Sequence, residues 1–270
     1  MRWLRLLLLA SCFGVPGAAW ADGPCEPCRI AGGSYHVAAP PGWNGHDPLR
    51  VLLFLHGWRG KGTDITGDPN IAGVANRLGF LLVAPDGESG SWGHVGSPHR
   101  VRDDVAFLLA VVADVQTRWP IDRRGVVAGG FSQGASMVWD LACYAAPQFT
   151  AFIPFSGGFW EPMPDACRAG AVNLRHTHGT HDSMVPMQGR AILDGHFRQA
   201  DILQGFARWR AADQCPAIPD SIAREGDLIC TAWSHCASGQ QLEMCLHPGD
   251  HSMIAPWLDA SLRWAIAVAP

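Results

Sequence analysis

Short apolar runs alternate with stretches of helical periodicity along most of this chain. The apolar runs predict strands at 50–56, 80–84, 125–130, 149–155, 172–178 and 241–246. The segments with helical spacing are 71–78, 103–119, 132–144, 202–212 and 257–268. Such alternation predicts an α/β fold with a mostly parallel central sheet and helices on both faces. Ligands then bind above the carboxyl ends of the strands.

A glycine-flanked serine stands between the third of these strands and the helix that follows it. Residues 130–134 read GFSQG, which fits the G-x-S-x-G nucleophile elbow of α/β-hydrolases. The flanking positions must be glycine because a Cβ would clash in so tight a turn. The turn exposes the Ser132 hydroxyl beside a helix N-terminus, where backbone N–H groups can stabilise an oxyanion. Ser132 is therefore the candidate nucleophile.

An acid and a histidine follow the serine in the chain order of α/β-hydrolases. His251 lies between the last predicted strand and the closing helix, and Asp182 directly follows the penultimate strand. Asp182 is expected to accept a hydrogen bond from the imidazole Nδ1–H and to fix its tautomer. His247 is an alternative base, and Asp250 and Asp194 are alternative acids.

Two backbone N–H groups are expected to form an oxyanion hole. One belongs to Gln133, the residue after the nucleophile, and the other to Trp58, in the loop after the first predicted strand. The chain has twelve tryptophans. Trp92 and Trp160 differ from the rest because they lie in glycine-rich loops on the predicted active face. They either stack on an aromatic or sugar-like group of the substrate or pack within their loops.

Three histidines near the candidate acid raise the alternative of a zinc site. His176 and His178 share one face of a strand, and His181 lies beside Asp182. A strand of this kind is buried, however, and a histidine before Gly179 can hold the acid loop by a hydrogen bond. We therefore expect a structural role for these histidines. The proposed chemistry requires no metal and no organic cofactor.

The first 21 residues have the pattern of a secretory signal peptide. Two early arginines, a short apolar run and small residues before Ala21 define its parts, and the run is too short for a membrane span. A lipoprotein anchor at Cys12 is an alternative, although its apolar core of about five residues falls below the usual range. We expect cleavage after Ala21, a secreted or periplasmic product, and one catalytic domain over residues 22–270.

Charge and cysteine content narrow the picture further. The formal net charge is −4, Lys61 is the only lysine, and no basic stripe is present, so a nucleic-acid partner is not expected. Nine cysteines occur, and the eight that follow Cys12 are an even set in an exported chain, which indicates disulfides. Their spacing alone leaves 105 pairings open.

Several stretches together resemble one group of secreted esterases. They are LLFLHGWRG (52–60), VAPDG (83–87), the segment 100–143, FSGG (155–158), HGTHDSMVP (178–186), FARWRAADQC (206–215) and GDHSM (249–253). In these stretches the chain resembles the polyhydroxybutyrate depolymerase and feruloyl esterase group of α/β-hydrolases. The resemblance implies the triad of Ser132, Asp182 and His251.

The same resemblance implies two disulfides. They join Cys143 to Cys167 and Cys215 to Cys236.

The resemblance also bears on the substrate. The last motif of this group often reads G-x-G-H-x-W-P, whereas residues 249–253 resemble carboxylesterase and acyl-thioesterase relatives. Dedicated polymer depolymerases carry an additional binding domain, for which the mature chain leaves no room. Only short segments separate the late elements, so an open cleft with no large lid is expected.

The expected function is that of a secreted serine esterase acting through an acyl-enzyme, on feruloyl, acetyl or hydroxyalkanoate esters. The substrate is a small molecule or is attached to a polysaccharide or polyester, and no stable membrane association is expected. An acyl thioesterase or carboxylesterase, a serine peptidase and a catalytically silent binding protein are the alternatives.

Overall fold

The computed structural model describes residues 25–269, so the predicted signal peptide and the Cys12 alternative lie outside the described residues. A ten-stranded sheet runs through this part of the chain, in the order β1-β2-β4-β3-β5-β6-β7-β12-β11-β10, and β8 and β9 form a separate hairpin. The strands are β1 (Cys28–Ile30), β2 (Gly33–Ala38), β3 (Leu49–Leu55), β4 (Phe80–Pro85), β5 (Ile121–Phe131), β6 (Ala151–Phe155), β7 (Leu174–Gly179), β8 (Arg190–Ile192), β9 (Phe197–Gln199), β10 (Ser221–Glu225), β11 (Leu228–Trp233) and β12 (Leu242–His247).

The centre of the sheet is parallel and its edges are antiparallel. Strands β4, β3, β5, β6, β7 and β12 pair in parallel. Strands β1 and β2 extend one edge antiparallel, and β11 and β10 extend the other. The mostly parallel sheet predicted from the apolar runs is therefore confirmed. The carboxyl ends of its central strands meet along one edge, where the candidate site lies.

Helices cover both faces of this sheet, as predicted. They are α1 (Gly62–Gly67), α2 (Pro69–Arg77), α3 (Asp104–Arg118), α4 (Gln133–Ala145), α5 (Ile202–Ala212) and α6 (Ala255–Ala267). The apolar faces of α1, α2 and α6 share one buried cluster, whereas α3, α4 and α5 share the cluster on the other face. Within residues 25–269, no helix is both long enough and apolar enough to cross a membrane.

Four disulfides use all eight cysteines of the described residues. They are Cys25–Cys28, Cys143–Cys167, Cys215–Cys236 and Cys230–Cys245. The two pairs implied by the family resemblance are among them. The last bridge joins directly opposite residues of β11 and β12, so it ties the antiparallel edge to the strand that precedes the candidate histidine. Disulfides of this kind stabilise a fold mainly by restricting the unfolded chain.

Three strand pairs were not predicted from the sequence: β1–β2, β8–β9 and β10–β11. All five residues of β10 are exposed, and both strands of the β8–β9 hairpin have only three residues. Strands as short as β8 and β9, or as exposed as β10, have no continuous apolar run, so the pattern used to predict strands does not detect them. The β8–β9 hairpin matters for the site, because one of its residues pairs with Trp160 in an isolated bridge.

Candidate active site

Ser132 stands in a strained turn between β5 and α4. Its backbone has φ 58° and ψ −121°, a conformation that residues other than glycine rarely adopt. A Cβ on Gly130 would lie 2.7 Å from the backbone of Gly134, and a Cβ on Gly134 would lie 2.2 Å from the carbonyl oxygen of Leu55. The two glycines let helix and strand approach this closely, so the local geometry is that of the predicted elbow.

The serine lines a groove of about 230 Å³ at the carboxyl edge of the sheet. Its backbone N–H donates to the carbonyl oxygen of Phe155, at 2.9 Å, which fixes the turn against β6. The groove is lined by Trp58, Pro98, His99, Ser132, Gln133, Ser136, Trp160, Met184, Val185, Arg190, Ile192, Leu193 and Gln199. Its walls come from five separate parts of the chain and are largely apolar.

Both candidate oxyanion residues line this groove with the serine. Gln133 is the first residue of α4, so its N–H has no acceptor within the helix. Its side-chain Nε2 donates to Ser91 Oγ at 2.9 Å. Trp58 follows Gly57, at which an added Cβ would lie 3.4 Å from the Cβ of Ser132. The loop after β3 therefore passes directly beside the serine, where a second backbone donor is required.

The candidate acid and base are in direct contact. His251 Nδ1 lies 2.7 Å from Asp182 Oδ2, and Asp182 Oδ1 accepts from the N–H groups of Met184 at 2.9 Å and Val185 at 2.7 Å. Burial alone would raise the pKa of the Asp182 carboxyl, but the hydrogen bonds from His251 and from Val185 N–H outweigh burial and lower that pKa. The carboxylate is therefore held ionised and pointed at the imidazole.

The serine and the histidine are near each other along the same edge but are not joined. The His251 ring lies 4.7 Å, between centroids, from the ring of Phe131, the residue before Ser132. No hydrogen bond links the Ser132 hydroxyl to the imidazole in the part of the chain that the structure describes. Catalytic contacts of this kind often tighten only when substrate binds.

Asp250 has a different position from the candidate acid. Its Oδ1 accepts from Ser183 N at 2.7 Å and from the backbone N–H of His251, also at 2.7 Å. These contacts hold the histidine's backbone to the acid loop, which begins at Asp182, and leave the imidazole Nδ1 to Asp182.

The remaining alternatives lie elsewhere. His247 is buried against the Trp257 ring, with centroids 4.1 Å apart, and its Nδ1 accepts from Gly249 N at 3.1 Å. Asp194 is exposed in the turn between β8 and β9, with φ 56°. Within residues 25–269, neither residue forms a hydrogen bond or an ion pair with the imidazole of His251, whose Nδ1 contacts Asp182.

Two buried histidines form a hydrogen-bonded chain behind the acid loop. Trp139 Nε1 donates to His176 Nδ1 at 3.3 Å, His176 Nε2 lies 3.0 Å from His178 Nδ1, and His178 Nε2 lies 2.8 Å from the carbonyl oxygen of Val185. The indole can only donate, so each imidazole accepts at Nδ1 and donates at Nε2. Burial lowers the pKa of both histidines, which agrees with two neutral rings.

This chain of hydrogen bonds argues against the zinc alternative. Every ring nitrogen of the two buried histidines already has a partner, and His181 is exposed, with its Nδ1 2.8 Å from the carbonyl oxygen of Pro248. Within residues 25–269, the one cluster with metal-ligand spacing is Cys230, Glu243 and Cys245. Its two sulfur atoms are joined in a disulfide, so they cannot both act as thiolate ligands.

The two candidate tryptophans of the substrate site have different positions. Trp160 lines the groove, and its ring lies 5.3 Å from that of His94. Trp92 does not line the groove: it is completely buried, and its Nε1 donates to the carbonyl oxygen of His56 at 2.8 Å. The loop-packing alternative therefore applies to Trp92, because the indole N–H fixes the loop to the end of β3.

Several groove residues were missed by sequence reasoning. Met184 and Val185 lie two and three residues after the acid in the HDSMVP segment, so their position near it was a usable signal. Arg190 and Leu193 lie in the unpredicted β8–β9 hairpin, and nothing in their local sequence marks them. Their role depends on where the hairpin folds, which only the three-dimensional structure gives.

A buried carboxyl group supports another wall of the groove. Asp140 in α4 is 3% exposed and accepts from Val95 N at 2.8 Å, within the segment that supplies Pro98 and His99. Burial raises the pKa of Asp140 to about 7, against the opposing effects of the Val95 N–H and of Arg100. The native state therefore keeps a proton that the unfolded state releases above a pH of about 4.

Replacing Asp140 by asparagine is expected to remove one source of pH-dependent stability. In wild type, the protonated Asp140 contributes fully to the free energy of unfolding below pH ~4, and this contribution is lost as pH rises through ~7. Asparagine stays neutral and still offers an acceptor to Val95. The Tm of Asp140→Asn minus the Tm of wild type should therefore be about 5 °C larger at pH 8 than at pH 5. Calorimetry at both pH values measures this. The exposed Asp165→Asn is the control, and parallel wild-type and Asp140→Asn curves would contradict the expectation.

Comparison with known proteins gives matches in sequence and in fold. The family model described as phospholipase/carboxylesterase matches residues 103–200. "Probable feruloyl esterase C" of Aspergillus niger is 28% identical over 177 residues, and the match covers 63% of this chain and 62% of that protein. The chain thus spans less than two thirds of that relative. "Feruloyl esterase D" of Neurospora crassa is 28% identical over 255 residues, covering 87% of this chain and 80% of that protein.

Solved structures give the same fold. An acetyl xylan esterase from Aspergillus awamori superimposes with a TM-score of 0.63 at 14% identity, covering 92% of this chain and 96% of that one. A phospholipase/carboxylesterase from Dyadobacter fermentans superimposes with a TM-score of 0.60 at 15% identity, covering 86% and 95%. Sheet order, elbow and these matches agree: the chain has the α/β-hydrolase fold and is similar in sequence to feruloyl esterases.

Proposed function

We propose that this protein is a serine esterase that hydrolyses carboxylic esters. Ser132 is the nucleophile, His251 the general base and Asp182 the acid that orients it. The observation that carries the proposal is the 2.7 Å contact between His251 Nδ1 and the buried Asp182 carboxylate, next to a groove that contains a serine in a strained elbow.

The proposed reaction has two steps. His251 takes the proton of the Ser132 hydroxyl as the oxygen attacks the ester carbonyl, and the backbone N–H groups of Trp58 and Gln133 stabilise the oxyanion. The imidazolium then protonates the departing alcohol. In the second step the same histidine deprotonates a water molecule, which attacks the acyl-enzyme carbonyl. The bond between the acyl carbon and Ser132 Oγ then breaks, the imidazolium returns its proton to Oγ, and the carboxylic acid is released. Asp182 stabilises the imidazolium in both steps.

The groove suits an aromatic acyl group. Trp58, Met184 and Leu193 contribute apolar side chains that are 53%, 48% and 56% exposed, and Trp160 adds a largely buried ring. Exposed apolar residues that cluster at one groove indicate a binding site, whereas single exposed apolar residues scattered over a surface do not. We therefore propose feruloyl-type esters as the preferred substrates, with acetyl and hydroxyalkanoate esters as further candidates, free or attached to a polysaccharide.

A panel of model esters tests this proposal. Feruloyl, acetyl and 3-hydroxybutyryl esters of one alcohol are compared by kcat/KM, together with an acyl thioester and a peptide substrate. We expect hydrolysis of the esters, with the feruloyl ester turned over most efficiently. Cleavage of the thioester or the peptide without ester turnover would instead assign the chain to the thioesterase or peptidase alternative.

We also propose export of the protein after cleavage behind Ala21. Four disulfides in residues 25–269 fit an oxidising compartment. The mass of the mature protein tests this step, because the product of cleavage after Ala21 has a defined mass, whereas a lipid-modified Cys12 at the N-terminus would show the lipoprotein alternative.

The buried histidine chain predicts a positioning role for His178. Val185 donates its N–H to Asp182 and accepts from His178 Nε2 through its carbonyl oxygen. Loss of the His178 donor therefore removes one hydrogen bond that holds the acid loop. His178→Phe is expected to lower kcat by about 10–100-fold, the effect of losing ~1–3 kcal/mol, with little change in KM. His178→Gln keeps a donor near the same place and should retain most of the activity.

Steady-state kinetics on a p-nitrophenyl ester measure both constants, and proton NMR follows the downfield Nδ1 proton of His251. We expect the NMR signal of this proton to weaken in His178→Phe and to persist in His178→Gln. If both variants lost activity only in proportion to their unfolded fraction, His178 would be a packing residue and not a positioning one.

A further inference from the structure

One guanidinium group lies in the wall of the groove, among apolar and uncharged polar side chains. Of the residues that line it, Arg190 is the only permanent cation, and none is a carboxylate. His99 is the only other titratable residue there. Arg190 is half-buried, so its guanidinium keeps some contact with water and is accessible to a ligand. The partners of Arg190 therefore show whether its charge is already neutralised.

The partners of Arg190 within the described residues are neutral. Its Nε donates to Gln199 Oε1 at 3.1 Å, and its Nη1 donates to the carbonyl oxygen of Ser183 at 3.2 Å. A guanidinium has five N–H donors in a planar fork, so further donors are left for a ligand. Among residues 25–269, no carboxylate forms an ion pair with it.

Other arginines of this fold do have acidic partners. Arg198, on the neighbouring strand β9, pairs with Glu161 at 3.2 Å, and the buried Arg175 pairs with Glu225 and Glu243, both at 2.5 Å. The fold therefore pairs the other arginine of the hairpin and a fully buried one, but leaves the guanidinium that faces the groove without a counter-charge.

Arg190 is also held in a fixed position. It lies directly opposite Gln199 in the β8–β9 pairing, and Gln199 pairs in turn with Trp160 across an isolated bridge. Gln199 is only 8% exposed. The hydrogen bond from Arg190 to this buried amide orients the guanidinium before any ligand binds, which lowers the entropy cost of binding.

We infer that Arg190 is a specificity residue that binds a carboxylate carried by the substrate, separate from the ester group that is cleaved. Guanidinium and carboxylate match in planar, bidentate geometry and form charge-assisted hydrogen bonds. This inference rests on the proposed function, because it places an acidic substituent, such as that of an acidic sugar or a dicarboxylic acyl chain, in the groove that contains Ser132.

Two matched pairs of esters test the inference and distinguish the acyl side from the alcohol side. The acyl pair is p-nitrophenyl hemiglutarate and p-nitrophenyl valerate. The alcohol pair is 4-carboxyphenyl butyrate and its methyl ester. For each pair, the ratio of kcat/KM for the carboxylate ester to that for the neutral ester is measured in wild type, Arg190→Gln and Arg190→Lys. For at least one pair, Arg190→Gln is expected to lower this ratio by about 10–100-fold, and Arg190→Lys by less.

Arg198→Gln is the matched control, because it removes the same charge from the adjacent strand outside the groove. Its ratios should equal those of wild type. The inference would be overturned if, for both the acyl pair and the alcohol pair, the kcat/KM ratio of Arg190→Gln stayed within twofold of the wild-type ratio.

A binding measurement separates this inference from the proposed function. In the Ser132→Ala background, calorimetry gives the Kd of each carboxylate ester with and without Arg190→Gln, and for one of them Kd should rise by about 10-fold or more. If wild type hydrolysed none of these esters, the proposed function would fail, but the calorimetric comparison would still decide the carboxylate site. An unchanged Kd for both carboxylate esters would overturn it.

Discussion

Replacing Ser132 by alanine is expected to abolish ester hydrolysis, lowering kcat by about 10⁴-fold or more. Alanine removes the oxygen that forms the acyl-enzyme, and Ser136, the other serine that lines the groove, already accepts a hydrogen bond from Gly158 N at 3.2 Å through its hydroxyl. The turn itself should survive, because its tight approach depends on Gly130 and Gly134 and the alanine Cβ occupies the same space as that of serine. Turnover of a p-nitrophenyl ester measures the effect, and circular dichroism checks that the fold is kept.

The structure supplies a matched control for this substitution. Ser156 has a similar positive φ, of 55°, and follows β6 as Ser132 follows β5. It is completely buried and is not among the groove residues. A fluorophosphonate probe should label wild type and Ser156→Ala but not Ser132→Ala. Labelling that persisted in Ser132→Ala, or full turnover by that variant, would show that another residue is the nucleophile.

The central elements could be predicted from the sequence because their signals are local. Predicted and observed bounds coincide for α5 (Ile202–Ala212) and differ by one residue at the end of β4 (Phe80–Pro85). All six residues of β4 are buried, which is why such strands read as unbroken apolar runs. The elbow was also predictable, since the steric demand of its turn restricts two positions to glycine.

The groove could not be predicted in the same way because its walls join distant parts of the chain. Four residues of the β8–β9 hairpin line it, namely Arg190, Ile192, Leu193 and Gln199. Each strand of the hairpin has only three residues, and five of the six are exposed or half-buried, so they give no periodic signal. Trp92 and Trp160 lie in similar glycine-rich loops, but only the structure separates the one bound to the His56 carbonyl oxygen from the one that lines the groove.

The hydrogen-bonded chain of His176 and His178 was likewise predictable from the sequence only in part. The shared face of His176 and His178 follows from strand periodicity, and a role in holding the acid loop was expected. The donor that sets the direction of the chain is Trp139, 37 residues earlier and on a helix. No local pattern links an indole on α4 to an imidazole on β7. The sequence therefore left a zinc site open, and the packing of the helix on the sheet argues against it by giving His176 Nδ1 a donor.

Replacing Asp182 by asparagine is expected to lower kcat by about 10³–10⁴-fold while KM changes little. Asparagine can still accept through Oδ1 from the N–H groups of Met184 and Val185, so the loop should keep its shape. Its amide can turn an N–H toward His251 Nδ1, however, which favours the wrong tautomer and removes the negative charge that stabilises the imidazolium. Kinetics on a p-nitrophenyl ester, with unfolding curves for both proteins, measure this effect.

Asp250→Asn distinguishes the two carboxylates of the acid loop. Asp250 accepts from Ser183 and from the backbone of His251, and asparagine can keep one acceptor for these donors, so we expect a loss of less than about 10-fold in kcat. The charge of Asp250 is exposed to solvent, where its effect on the imidazolium is screened, whereas the Asp182 carboxylate is buried and in contact with the ring. If Asp250→Asn were as damaging as Asp182→Asn, or if Asp182→Asn kept its rate, the assignment of the orienting acid would be wrong.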